Sequence, residues 1–246
     1  MFPLFSLCAS ACRPEHWEEV LMSLKSNTIR YEVVFVGHVR PTFDISKYPE
    51  LKYIYSTVKP AQCYEIAFRN ASGQLMAWTA DDATYPANAL DKMYGIFENQ
   101  CTRKDMLAFR TVEDGKDITE VHRFRGRDMN APRMAPFGVI NRGYFHELGG
   151  YDRRFICGQS ENDVVMRMYE AGGKLYVTDI PVIVDHRKSH HDSGTVFRSG
   201  YYLDDRRVLE DAWVRDGNIQ PKRLREVERF DDADILINTQ GQRGKW

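Results

Sequence analysis

The chain reads as an α/β protein with a mostly parallel central sheet flanked by helices and a helical extension at its C-terminal end. Three observations predict this. Apolar runs of strand length alternate with longer segments of helical periodicity as far as residue 184, the pattern of strand–helix–strand crossovers. Residues 31–36 form a continuous Val/Phe-rich run that suits a strand covered on both faces. The 246 residues, 43% hydrophobic and 28% charged, are enough for one well-buried core.

Residues 4–9 read as the first strand. Pro14 then opens a helix to about Ser26, with Trp17, Val20, Leu21 and Leu24 at helical spacing. Strands follow at 31–36 and 51–55. Residues 62–71 are helical and stop before Gly73. A fourth strand at 75–79 precedes a helix at 86–99, whose Leu90, Met93, Tyr94 and Phe97 share one face. Residues 106–112 and 135–140 read as strands, separated by a highly charged loop or excursion hairpin at 113–132. Short helical spacing at 142–147 leads to the turn Leu148-Gly149-Gly150-Tyr151-Asp152 and then to a helix at 160–171. Strands at 175–178 and 182–184 close the alternation. Residues 202–215 and 221–229 have amphipathic helical character, and the tail beyond Asp231 is polar. The division expected is a main domain over 1–200, with a ligand-binding half at about 1–100 and a second half at about 101–200. Residues 201–246 form the extension.

Thirty-four basic against 35 acidic residues give a net charge of -1, which argues against a dedicated nucleic-acid surface. Five cysteines without CxxC spacing point to a reducing, cytoplasmic setting. No segment approaches 18 uninterrupted apolar residues, so no membrane span is expected, while peripheral membrane association stays compatible with the sequence.

The most informative stretch is Leu75-Met76-Ala77-Trp78-Thr79-Ala80-Asp81-Asp82. A buried strand ends in two adjacent carboxylates, at the end of a strand where open α/β sheets bind ligands. Two neighbouring acids repel unless water, a partner or a cation compensates them. Hard oxygen ligands suit Mg²⁺ or Mn²⁺, which bind phosphate oxygens in turn. A plain acidic turn capping the next helix is the other reading of the pair.

Four segments together resemble a family 2-like glycosyltransferase with the GT-A fold. They are Ser10-Ala11-Cys12-Arg13 after the first strand, Arg69-Asn70-Ala71-Ser72-Gly73, Thr79-Ala80-Asp81-Asp82, and Leu148-Gly149-Gly150-Tyr151-Asp152 followed by Ser160-Glu161-Asn162-Asp163 and Arg167. The likeness covers about residues 4–190. It implies a nucleotide-diphosphate sugar donor, a glycan or other hydroxyl acceptor, a divalent cation (Mn²⁺ or Mg²⁺) and inverting transfer. Carried over by position, Asp82 becomes the metal ligand and His186 completes the metal site, with His190 and His191 as alternatives. Asp81 supports the site through a ribose hydroxyl or metal-bound water. Glu161 becomes the catalytic base, its alternative being an acid favoured by the dipole of its helix. Asp163, grouped with Glu161 in the catalytic set, is a positioning residue or a partner for Arg167 at i,i+4. Ser10, Arg13, His38 and Arg69 are expected nucleotide or phosphate contacts. Two departures stand out: Ala80 replaces the first acid of the metal motif, and Ala11 and Gly37-His38 replace residues that hold the base. A nucleotidyltransferase acting on sugar phosphates and a non-catalytic glycan-binding module are the competing readings. The glycine-free Ser10–Pro14 loop speaks against the first, and the retained acids speak against the second.

Overall fold

Alternate side chains of a strand point to opposite faces of its sheet, and the central strands here use that rule to build two cores. The computed structural model describes residues 3–126, 128–185 and 200–231. Its elements run β1 (Phe5–Ser10), α1 (Pro14–Leu24), β2 (Tyr31–Gly37), β3 (Leu51–Tyr55), α2 (Pro60–Asn70), β4 (Leu75–Trp78), β5 (Ala83–Thr84) and α3 (Ala89–Gln100). There follow β6 (Met106–Glu113), β7 (Lys116–Asp117), β8 (Gly138–Asn141), α4 (Arg142–Glu147), α5 (Ser160–Glu170), β9 (Leu175–Val184), α6 (Tyr201–Trp213), β10 (Val214–Arg215) and β11 (Asn218–Ile219). Phe5, Leu7 and Ala9 of β1, with Leu75 and Ala77 of β4, enter the core beneath α1 and α3. Cys8, Met76 and Trp78 enter the other, shared with Phe68 of α2, Phe145 of α4, Val164 of α5 and Trp213 of α6.

The sheet order is β3-β2-β1-β4-β8-β6-β9-β5. β1 is parallel to β2 on one side and to β4 on the other. The chain therefore steps outward from β1 to β3, then returns to the far side of β1 for β4. Such a reversal opens a crevice at the carboxyl ends of the two strands, the usual ligand position in open α/β sheets. β8 runs antiparallel to both β4 and β6, which makes the second half of the sheet mixed.

Several sequence expectations are revised. The strands expected at 175–178 and 182–184 are one strand, β9, continuous through a register shift against β6 that accommodates Pro181. The charged 113–132 segment begins as a hairpin in which Glu113 faces Lys116 across Asp114 and Gly115. Both turn residues have positive φ, 50° and 79°, as such tight hairpins require. The helix expected at 221–229 is absent. Arg223 instead reaches Asp152 (2.8 Å) and Asp163 (3.0 Å), and the backbone amide of Arg153 donates to Glu228, so the segment runs extended along the loop after α4. Leu209, Ala212, Trp213 and Phe230 are buried in the same core as Trp78. Among the described residues no helix is long and apolar enough to cross a membrane.

The Gly149-Gly150 turn shows why glycine is needed there. Gly150 has φ +69°, and a Cβ on it would lie 2.7 Å from Glu65 Oε1, a carboxylate that accepts the Tyr151 amide at 2.8 Å through its other oxygen. Gly150→Ala is expected to destabilise the protein by about 2 kcal/mol, through strain at positive φ and a displaced buried acid. Urea unfolding measures it.

Candidate active site

The tip of β4 is tied to the loop after β1 by one fully buried carboxylate. Asp81 Oδ2 accepts the backbone amides of Cys12 and Arg13, both at 2.6 Å, and the Trp17 indole N–H at 3.1 Å. Asp81 Oδ1 accepts Arg13 Nε at 2.9 Å and Arg13 Nη2 at 2.5 Å. Arg13 Nη1 donates to Asp82 Oδ2 at 2.5 Å, so one guanidinium bridges both acids. Burial works against the charge on Arg13, but Asp81 and Asp82 outweigh it and raise its pKa. The like-charge repulsion legible in the sequence is thus offset from within the protein. Asp81 fixes the backbone of the loop after β1 to the strand tip.

Other expected residues gather along the same edge. Ser10 ends β1. His38 follows β2, which lies beside β1. Burial, then the charge of Lys59, lowers its pKa, which keeps the ring neutral around pH 7. Gly37 passes so close to this loop that a Cβ would lie 1.7 Å from the Ala11 carbonyl oxygen, so only glycine fits. Lys59 was not singled out from the sequence. It is buried just before α2, with its ammonium 5.1 Å from the centre of the Tyr201 ring. The Lys59-Pro60 helix start was its only sequence signal.

Glu161 lies in the first turn of α5. Burial lifts its carboxyl above the ordinary range and the charge of Asp205 adds to this, while backbone hydrogen bonds and the Ser160 hydroxyl oppose it. Tyr64 of α2 is hydrogen-bonded to the end of β4. Its hydroxyl donates to the Thr79 carbonyl at 2.7 Å, on the strand leading to the acidic pair. Burial, then Glu161, Asp81 and Asp82, raise its phenol, so it lies within electrostatic reach of both the strand tip and α5. Helical periodicity alone could not single out Tyr64.

Two expected residues belong elsewhere. Asp163 is fully buried and held by the protein: Arg167 Nε at 2.9 Å, Trp213 Nε1 at 2.8 Å and Arg223 Nε at 3.0 Å. The i,i+4 pairing with Arg167 is present. Arg69 sits in the last turn of α2, beside the start of β4, and binds Glu65 at 2.8 Å and the Phe230 carbonyl at 2.8 Å. Seven residues of helix, roughly 10 Å, separate it from Gln62 at the crevice end, too far for a phosphate bound there. His186, His190 and His191 lie outside the described residues.

For a divalent cation, the donor set at the tip is narrow. Among the described residues no group of three or more His, Cys, Asp or Glu side chains could hold a metal. Asp81 is committed to five protein donors. Asp82, 9% exposed at the strand tip, can offer a hard oxygen ligand. This fits the mode in which Mg²⁺ or Mn²⁺ takes one carboxylate together with substrate phosphates and water, and does not fit an all-protein cage.

The sequence matches no protein-family model, and no curated protein sequence matches it either. Solved structures do. Staphylococcus aureus TarS residues 1–349 with UDP-GlcNAc superposes with a TM-score of 0.62 at 16% identity, covering 85% of this chain and 65% of that one. GalNAc-T7 with UDP, GalNAc and Mn²⁺ gives 0.65 at 13% identity over 88% of this chain and 49% of that one. The mannosyltransferase PcManGT from Pyrobaculum calidifontis with GDP-Man and Mn²⁺ gives 0.59 at 14% identity, over 90% and 67% respectively. These are GT-A glycosyltransferases, and the chain has their fold. It spans about two thirds of the first TarS structure's length, and at these identities the likeness establishes the fold alone.

Proposed function

We propose that the protein transfers a sugar, with inversion, from a nucleotide-diphosphate sugar to a hydroxyl of an acceptor glycan. The observation that carries this reading is the carboxylate pair Asp81-Asp82 at the tip of β4, at the point where the strand order reverses, with Glu161 in the first turn of α5 as the candidate base. Ser10 and His38 line the edge where the nucleotide would lie. Asp82 would hold Mn²⁺ or Mg²⁺, with His186 as a second ligand, and a cation there would supply Lewis-acid stabilisation of a diphosphate leaving group. Lys59 brings a further positive charge to this edge, suited to diphosphate oxygens. Glu161 takes the proton from the acceptor hydroxyl as that oxygen attacks opposite the leaving group. A raised pKa keeps such a base strong enough for the task near neutral pH.

Product analysis with UDP- and GDP-sugars plus Mn²⁺ tests the reading. Release of nucleoside diphosphate with a glycosylated acceptor is expected. Pyrophosphate release would indicate a nucleotidyltransferase, and binding without turnover a glycan-binding module. Asp82→Ala is expected to lose most of the Mn²⁺-dependent affinity for nucleoside diphosphate. Calorimetry showing that affinity unchanged would remove Asp82 as a ligand.

A further inference from the structure

The C-terminal helix reaches into the loop that leads to Glu161. Asp205 of α6 is fully buried, and its carboxylate accepts three successive backbone amides: Ile156 at 2.8 Å, Cys157 at 2.6 Å and Gly158 at 2.8 Å. Three consecutive N–H groups converging on one charged acceptor define the path of that loop closely. The loop is held from the other side too, because the Ile156 carbonyl accepts the amide of Ala61 in the first turn of α2. Gln159 follows in a left-handed conformation, φ 65°, and its side chain donates to the Tyr202 hydroxyl at 2.9 Å. Asn162 donates back to Gln159 at 2.8 Å. Farther along α6, Trp213 holds Asp163 of α5. Residues on α6 therefore bracket Glu161 along the chain on both sides.

We propose that Asp205 is a positioning residue for Glu161. It fixes the entry into α5, and so the direction of the Glu161 side chain, and it places a second negative charge beside that carboxylate. The proposal rests on the reading of Glu161 as the base. The groups that face Glu161 are Asp205 from α6, the phenols of Tyr64 from α2 and of Tyr151 from the loop after α4, and the Ser160 hydroxyl of its own helix. Removing the Asp205 charge should make Glu161 easier to ionise, because a like charge disfavours the charged form.

The test is Asp205→Asn, which keeps the shape but loses the charge and one of the two accepting oxygens. Carbon-13 NMR of labelled glutamate carboxyls, with Glu161 assigned through Glu161→Gln, reads the titration of Glu161 without any substrate. Its midpoint is expected to fall toward the ordinary glutamate range. The acid limb of the kcat/KM profile should move to lower pH with it, while nucleoside-diphosphate affinity stays unchanged. A folded Asp205→Asn with an unmoved Glu161 midpoint overturns the proposal. If that variant does not fold, Asp205→Glu keeps the charge but lengthens the anchor by one methylene. It should lower kcat by about tenfold to a hundredfold with donor affinity intact, as small misplacements of a catalytic group do, and unchanged kcat overturns the proposal. Full activity in Glu161→Gln would instead remove the base assignment on which the proposal rests, a result separable from the NMR titration.

Discussion

Glu161→Gln is expected to lower sugar transfer by about 10²–10⁴-fold, the contribution typical of a positioned general base. The amide keeps the size and much of the hydrogen bonding of the side chain but cannot accept the acceptor's proton. Glu161 retains partial exposure, so stability should change little. Donor affinity should be unaffected, since the substitution lies on the acceptor side. The pH profile gives an independent check. Because burial raises the Glu161 pKa, the acid limb of kcat/KM should lie above the ordinary glutamate range, with activity lost as pH falls through it. Glu161→Gln should abolish that limb. A variant with wild-type kcat, or a wild-type limb at the ordinary glutamate pKa, would assign the proton transfer to another group.

The largest stability effect is expected from Asp81→Ala. That carboxylate is fully buried and accepts two backbone amides, the Trp17 indole and two nitrogens of Arg13. Removing it leaves those donors without their acceptor and half of the charge opposite Arg13 missing. Breaking a buried charge pair from one side typically costs about 3–5 kcal/mol. In a protein of this size that corresponds to a fall in Tm of roughly 6–20 °C. Nucleotide binding should be lost as well, because the Cys12–Arg13 backbone is no longer tied to the strand tip. Asp82→Ala should show the reverse balance, with a small Tm change and a large loss of Mn²⁺-dependent binding. Calorimetric melting and binding titrations on both variants separate the two roles. Equal Tm losses would show that the neighbouring acids are not divided in this way.

Much of the architecture was legible because it follows from local periodicity. The buried strand runs at β2 and β4, the stripe of Trp17, Val20, Leu21 and Leu24, and the glycine stop after α2 each carry their signal within a few residues. What escaped depends on contacts between residues far apart in the chain. Arg13 and Asp81 are 68 positions apart, so nothing local could show that the guanidinium bridges both acids. The helix expected at 221–229 has suitable spacing, but the paired demand of Asp152 and Asp163 for Arg223 draws the segment into an extended path. The same network accounts for Asp163, which motif position alone places on the acceptor side. Asp205 and Tyr64 sit in ordinary amphipathic helices, and only the packed structure brings one to the loop before Glu161 and the other to the Thr79 carbonyl just after β4.

The most direct measurement is diffraction at the manganese edge from crystals soaked with Mn²⁺ and a nucleoside diphosphate. The account predicts anomalous density beside Asp82 at the tip of β4, with the nucleotide along the Ser10–His38 edge and the Glu161 carboxylate facing the open side of the diphosphate. A tip without metal or nucleotide, with Arg13 still bridging Asp81 and Asp82 and the ligand bound elsewhere, would contradict it.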